Sequence, residues 1–433
     1  MSGPREEMAC ATCLTPLNVL DGDYIHPLSR GNVGHPPVPV PVAQLDTVDR
    51  TCDFCGDDHP MWTLRGGSVK ILATGSHTDL LQDMGETWAA CVPCMADIDA
   101  GKPNRVVDRA VRRMRVHDIP FAHTETNKLH QAFLRQRQPG RVLITTTAWP
   151  DLNLTPRDLP KVRDRLAKFY RGPDELPTAL RITQRDQLAG SLDRARLYWI
   201  DHSFTELAEH AASQLPAVTA SKDLAPCDDG LLVWARPATA RRITAVSWTT
   251  DNDVVQAVVY RAIGTGLDHQ AMQHLRNEVG WLAPMRTFRP RHEQLVEDAH
   301  GYGSTILLAT WLLIAQKAAE TVPAEVDKTV RKTYARTKRP LPDVRIVRIR
   351  AHTQREASAS TVGATGTGRT YTSRVWVSGH WRNQAYGKGR ALRRPVYIHP
   401  FLRGPEDAPI KLSTTVRILD NRRPARPDPE VSE

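Results

Sequence analysis

Three Cys-x-x-Cys pairs fall within the first 94 residues of a 433-residue chain: Cys10/Cys13, Cys52/Cys55 and Cys91/Cys94. Thiols spaced in this way can point at one centre, so each pair is half of a tetrahedral metal site. Cys52 and Cys55, followed after 35 residues by Cys91 and Cys94, have the two-knuckle layout of a zinc ribbon. The long interval leaves room for a hairpin plus a short helix in HTDLLQDMGETW, and Trp62 and Trp88 are expected beside the site.

The odd pair needs two more ligands. His26 and His35 are the downstream candidates, giving C-x2-C-x12-H-x8-H. The first gap matches a DNA-reading finger. The last gap is too long for one, and Pro36 and Pro37 forbid the helix that such a finger inserts. Cys10, Cys13, His26 and His35 are therefore expected to form a second, structural zinc site. The alternative is a redox-active or empty pair with both histidines solvated. Zinc here would let a segment poor in large apolar residues fold without a core of its own.

The compartment supports metal over disulfides. The opening MSGPREEMACATC has no apolar stretch that reads as a secretory signal, and the longest apolar run, Ile306 to Ala315, is far short of the roughly 20 residues that cross a bilayer. A soluble, cytoplasmic protein without membrane association is expected, and there thiols stay reduced. Cys227 stands alone in LAPCDDG, without a neighbouring base to activate it, and reads as a small packed side chain.

The net charge of +10 is uneven. Residues 331–433 carry 22 Lys/Arg against 8 Asp/Glu, whereas residues 1–330 carry 36 against 40. A concentrated basic segment suits phosphate backbones or an acidic surface.

Between these ends the pattern is mainly helical. Residues 104–117 and 125–138 have arginine-rich outer faces, which are ordinarily just solvated, and residues 156–171 and 183–200 also read as helices. Ser203 to Glu206 reads as a capping box opening another. Three strand-like runs at 230–237, 243–250 and 253–262 suggest an antiparallel meander. Helices are expected again at 268–280, 303–319 and 324–336; the second is apolar all round, as in a buried helix. The HGYGS turn ahead of it could cradle an anion, though a plain turn fits as well.

From Val344 onward strands dominate, interrupted by a Gly/Ser/Thr-rich loop at 353–370 and followed by a Pro-rich tail. Strands alternate faces. Trp376, His380 and Arg382 share a parity, as do Tyr397, His399 and Arg403. Paired face to face, these six would form a platform of rings and guanidinium groups suited to single-stranded nucleic acid. A half-buried sheet with solvated arginines is the plainer reading. Trp381 lies on the opposite, core-like face. Glu356 is the one carboxylate between 344 and 404, which disfavours a metal-dependent nuclease centre within these strands.

Two resemblances follow from these residues. CDFC with WAACVPC resembles a zinc-binding segment recurrent in uncharacterised actinobacterial, phage and plasmid proteins. The block VWVSGHWRNQ (375–384), then VYIHPFLRGP (396–405), with LLATWLLIAQ (307–316) upstream, resembles a family of phage, plasmid and bacterial proteins called anti-CRISPR-like. That family takes its label from a type V inhibitor which lowers production of the effector nuclease at the level of its message.

The expected fold is α+β: a zinc-ribbon-like module over 1–100, a mainly helical domain with a small meander over 101–340, a basic antiparallel β-rich segment over 341–420 and a disordered tail over 421–433. The expected function is that of a zinc-containing accessory protein of mobile-element type that binds RNA or a ribonucleoprotein. Two alternatives stand beside it: an interaction or inhibitor module with a host or phage protein partner, and a metal-independent ribonuclease using His380 and His399.

Overall fold

The computed structural model describes residues 7–20, 22–27, 32–74, 79–113, 121–216, 218–219, 222–251, 254–289, 295–296, 303–350, 373–405 and 408–409. The chain divides after Arg350 into two compact units.

The first unit opens with short ladders. Strand β1 (Met8–Cys10) pairs with β4 (Pro39–Pro41), and β2 (Asn18–Leu20) pairs with β3 (Asp23–Ile25). Next come β5 (Pro60–Arg65), β6 (Lys70–Thr74), β7 (Asp79–Asp83) and β8 (Thr87–Cys91). β8 runs directly into helix α1 (Val92–Asp99), which is followed by α2 (Pro103–Arg113), α3 (Ala122–Leu134) and β9 (Val142–Leu143). β5 is central between β8 and β9, while β6 and β7 form a separate hairpin. The stretch expected to hold a short helix therefore carries β7 and the start of β8, because residues 79–83 pair with 70–74 instead of turning back on themselves.

The rest of this unit is built on a seven-stranded mixed sheet. Helices α4 (Leu159–Tyr170) and α5 (Arg185–Arg194) precede β10 (Arg196–Ile200), and α6 (His202–Ala212) and β11 (Val218–Thr219) follow it. Strands β12 (Asp229–Ala238), β13 (Ile243–Asp251) and β14 (Val254–Ala262) come next, then α7 (His269–Glu278), β15 (Leu282–Phe288) and β16 (Leu295–Val296). Helix α8 (Ser304–Ile314), β17 (Ala319–Pro323), α9 (Lys328–Arg336) and β18 (Val344–Ile349) complete it. The sheet order is β15-β14-β13-β12-β10-β18-β17, with β10 parallel to both neighbours and every other pairing antiparallel.

Both faces of this sheet are covered, which explains its sequence. Buried strands of that kind read as continuous apolar runs rather than alternations. Leu231, Val233, Ala245, Val258 and Tyr260 join the core with Leu166, Tyr170 and Leu188 of α4 and α5. On the other face Trp248 meets Trp311 of α8 edge-on at 5.0 Å. Ile306 through Leu313 are all buried, as an all-apolar helix requires.

The expected meander is present, with β15 added to it, but two expectations are corrected. The middle is centred on a sheet, not mainly helical. The run 183–200 splits after Arg194 because RLYWI becomes β10, both faces of which are buried. Helix α6 is capped earlier than Ser203: Asp201 accepts from Phe204 N–H at 2.7 Å, and Ser203 Oγ donates to Asp201. At Gly303, φ is +96° and an added Cβ would stand 2.8 Å from Ile243, so this glycine serves close packing.

In the second unit, β19 (Val375–Val377) pairs with β22 (Phe401–Arg403), and β20 (His380–Tyr386) forms a hairpin with β21 (Leu392–Ile398). The break between β19 and β20 falls at Ser378 and Gly379. A Cβ on Gly379 would lie 2.1 Å from the Tyr397 hydroxyl. The loop expected at 353–370, the strand expected at TTVRIL and the tail at 421–433 lie outside the described residues.

Candidate metal centres and a basic hairpin

The first cluster grows out of a turn whose geometry occurs twice. After Cys10, Leu14 N–H donates to the Cys10 carbonyl at 2.8 Å and Cys10 N–H donates to the Thr15 carbonyl at 2.9 Å. After Cys52, Gly56 N–H donates to the Cys52 carbonyl at 2.7 Å and Cys52 N–H donates to the Asp57 carbonyl at 2.7 Å. In both turns the residue after the second cysteine is left-handed, Leu14 at φ 61° and Gly56 at φ 72°. A knuckle of this shape presents two sulfurs on one side.

Cys52 and Cys55 meet Cys91 and Cys94, and all four are buried. The second pair is not a knuckle as expected. Cys91 is the N-cap of α1 and Cys94 sits in its first turn, with Pro93 fixing the start of the helix. The four sulfurs lie within 4.8 Å of one another, and Cys55 and Cys91 are 3.6 Å apart. Thiolates held at about 2.3 Å from a tetrahedral zinc stand roughly 3.8 Å apart, so the cluster is compatible with zinc. Hydrogen bonds from Cys52, Cys91 and Cys94 hold the Cys55 thiol far down, while burial pushes Cys52 up.

Around this cluster the chain supplies further groups. Cys91 N–H donates to Cys52 Sγ at 3.3 Å, and Arg109 of α2 donates to Cys94 Sγ at 3.1 Å while pairing with Asp97. Phe54 meets Trp88 at 5.2 Å, and Trp88 stacks on Phe133 at 4.4 Å. Trp62 is buried too, but its indole N–H donates to Asp174 at 3.2 Å and Arg141 covers its ring. His130 touches Phe54, and burial lowers its pKa to about 4. Arg109 and His130 were not legible as part of the site, because nothing in their local sequence marks which helix face meets the cysteines.

The second cluster brings together Cys10, Cys13, His26 and His35, whose donor atoms also lie within 4.8 Å of one another. Cys13 Sγ is 3.4 Å from His26 Nε2, and the two imidazoles meet edge-on at 4.8 Å. His35 Nδ1–H donates to the Pro36 carbonyl at 2.8 Å, which leaves Nε2 with its lone pair for a metal. Burial opposes ionisation of Cys10, but hydrogen bonds from Cys13, Val38 and Thr12 N–H and from His26 outweigh it and bring the thiol down to about 6. The donors fit a two-thiolate, two-imidazole site. The seventh cysteine is separate: burial raises Cys227, whose thiol donates to the Asp229 carbonyl at 3.1 Å.

The basic hairpin has a different register from the face-to-face platform expected above. Trp381 lies opposite Tyr397, Arg382 opposite Val396 and His380 opposite Ile398. Directly paired residues share a face, so Tyr397 belongs with Trp381. Tyr397 is buried and meets Trp381 edge-on at 5.3 Å. His399 packs on Tyr397 at 5.6 Å, and burial lowers its pKa. His380 is exposed on the other face, bonded to the Ser378 carbonyl, so the two histidines are not paired as acid and base. The turn between Tyr386 and Leu392 joins residues of like parity, so the even-numbered His380 and Arg382 cannot share a face with the odd-numbered Tyr397. Arg403 is exposed at the end of β22, and Trp376 lies in β19 opposite Leu402.

Parity within single strands also missed the hairpin's far end. Lys388, Arg390, Arg393 and Arg394 are exposed there and, like the already expected Arg382, form no ion pair among the described residues. Their signal was present in YGKGRALRR, an acid-free basic run across a glycine-rich turn.

These features define an α+β protein with two metal-type clusters and a basic carboxy-terminal hairpin. Residues 297–404 are an AcrVA2-like domain: they match the family described as anti-CRISPR type V subtype A2. The match runs from α8 through the hairpin and so crosses the division after Arg350. No curated protein matches the chain, and no solved structure does. Among the described residues no helix is long and apolar enough to cross a membrane.

Proposed function

We propose that this chain is a zinc-containing, anti-CRISPR-like regulator of type V CRISPR machinery that works on RNA or a ribonucleoprotein through its second unit. The observation carrying this reading is the match over 297–404, which takes in the whole basic hairpin. Zinc is held by Cys52, Cys55, Cys91 and Cys94 and, in the second cluster, by Cys10, Cys13, His26 and His35. Both sites are structural, since every ligand position is supplied by the protein and no open position remains for chemistry.

The reading makes two demands. Purified protein carries about two zinc ions per chain by elemental analysis, as two four-ligand sites require. Co-expression with a type V effector lowers the effector nuclease or its message and relieves plasmid interference, while a type II effector under the same promoter is unaffected. Full interference with unchanged effector and message levels would overturn it.

A further inference from the structure

We propose that the β20–β21 hairpin is a nucleic-acid clamp in which Arg382, Lys388, Arg390, Arg393 and Arg394 engage backbone phosphates and Tyr386 offers a ring for a base. The inference rests on the RNA or ribonucleoprotein reading above and names the surface that reading lacks.

Between residues 373 and 405 there are seven Lys/Arg and no Asp/Glu. In the first unit several guanidinium groups are met by carboxylates: Arg141 by Asp174 at 2.7 Å and Glu278 at 3.1 Å, Arg339 by Asp164 at 3.1 Å, Arg348 by Glu320 at 2.8 Å. Arg382 and Arg394 share a face with Tyr386, Lys388 and Arg390 lie in the turn, and Arg393 lies on the other face; these five exposed cations, paired with no carboxylate among the described residues, repel one another unless an anion is supplied from outside.

Shape narrows the class of anion. Each hairpin arm is seven residues long and spans roughly 24 Å at 3.4 Å per residue. That length suits a row of phosphates better than a single small anion. The turn is held open by left-handed Gly387, Gly389 and Arg390, at φ 77°, 66° and 55°, and Arg390 N–H donates to the Gly387 carbonyl at 3.1 Å. Tyr386 is 39% exposed, and the Arg394 guanidinium sits 5.2 Å from its ring. An exposed ring with a cation beside it is the pairing of stacking and charge used by single-strand binders. An acidic protein surface would satisfy the charges but leaves the ring unexplained.

The test uses the full zinc-loaded chain and fluorescence anisotropy with labelled 20-nucleotide single strands of RNA and DNA of the same sequence. At about 0.7 per phosphate contact, five contacts predict a roughly 100-fold affinity loss between 50 and 200 mM salt. Lys388→Gln/Arg390→Gln/Arg393→Gln/Arg394→Gln should lower the salt slope by about 3, and Arg393→Gln/Arg394→Gln alone by about 1.4. Tyr386→Ala should weaken binding with the slope unchanged. Arg105→Gln/Arg112→Gln, on α2, should change neither. The RNA and DNA arms report which polymer the clamp prefers.

An unchanged slope in the quadruple variant overturns the clamp, as does a wild-type chain that binds neither polymer at 50 mM salt while holding an acidic protein partner. The functional reading fails separately. If the quadruple variant loses nucleic-acid binding and still lowers the effector in cells, the clamp stands and RNA is not its route of action. If the wild-type chain binds nucleic acid through the hairpin and leaves the effector unchanged, only the functional reading falls.

Discussion

The two clusters each open on a Cys-x-x-Cys pair in the same knuckle turn, yet they sit in opposite surroundings. Cys52, Cys55, Cys91 and Cys94 are buried within the core that runs through Trp88, Phe133 and Leu166 into the central sheet. Cys10 is buried but Cys13, His26 and His35 are only half-buried, and the strands around them are three residues long. One knuckle is therefore a piece of the core and the other a clip on short ladders. Metal-binding energy of the size measured for structural zinc, about 10–16 kcal/mol, matches or exceeds the whole stability of a typical domain. Where that energy is coupled to a large core, its loss is global; where it is coupled to a few strands, it is local.

The largest consequence is a contrast between two serine substitutions. Cys55→Ser should unfold the first unit at 37 °C, seen as loss of the near-ultraviolet circular dichroism of buried Trp62 and Trp88. Cys13→Ser should leave that signal in place and raise hydrogen exchange over residues 8–41 alone. A chelator should correspondingly remove metal in two phases, with the cluster of two cysteines and two histidines emptied first. Equal melting of both variants, or a single release phase, would remove the distinction between core and clip.

A smaller effect concerns acid. His130 packs against the buried cluster, and its folded pKa of about 4 lies below an ordinary value near 6.5. A folded pKa depressed in this way favours the neutral ring, so its contribution to stability is complete above about pH 6.5 and is lost as pH falls toward 4. By linkage the difference amounts to about 3 kcal/mol at the acid end. His130→Leu should flatten the decline in stability between pH 6.5 and 4.5 measured by urea denaturation. An acid limb parallel to that of the wild type would assign the whole decline to the thiolates.

What was legible in the sequence follows the range of each interaction. The eight residues of the two clusters could be read, because a four-coordinate site leaves fixed spacings and few donor types to choose among. The meander could be read from its short turns. β10 could not: RLYWI follows α5 after a single residue, and a strand buried on both faces carries no period to set it apart from a helix. β7 was missed because its pairing with β6 leaves no sign in its own residues. The hairpin's register was missed because the connection from Tyr386 to Leu392 sets it, and alternation within a single strand says nothing of which parity it will face. Charge was legible in amount and not in disposition, since pairing with carboxylates far along the chain decides which arginines remain bare.

The smallest effect probes the boundary between core and site. Arg109 reaches Cys94 Sγ from α2 and is fixed by Asp97, so it is a positioning residue and not a ligand. Four thiolates on zinc carry a net charge of about −2, and a guanidinium donating to one sulfur offsets part of it in a buried setting where screening is weak. Losing an outer partner of this kind typically costs 10- to 100-fold in metal affinity. Arg109→Met should speed chelator-driven release from the slow phase, that of the four-cysteine cluster, by about 10-fold and leave the fast phase alone. Arg109→Lys should be intermediate, because lysine restores the charge but not the fork. The fast phase is the internal control: the two clusters share a chain and a metal but not this arginine, so acceleration of both phases would mean a general loosening of the fold, and acceleration of neither would mean that the Cys94 contact is packing alone.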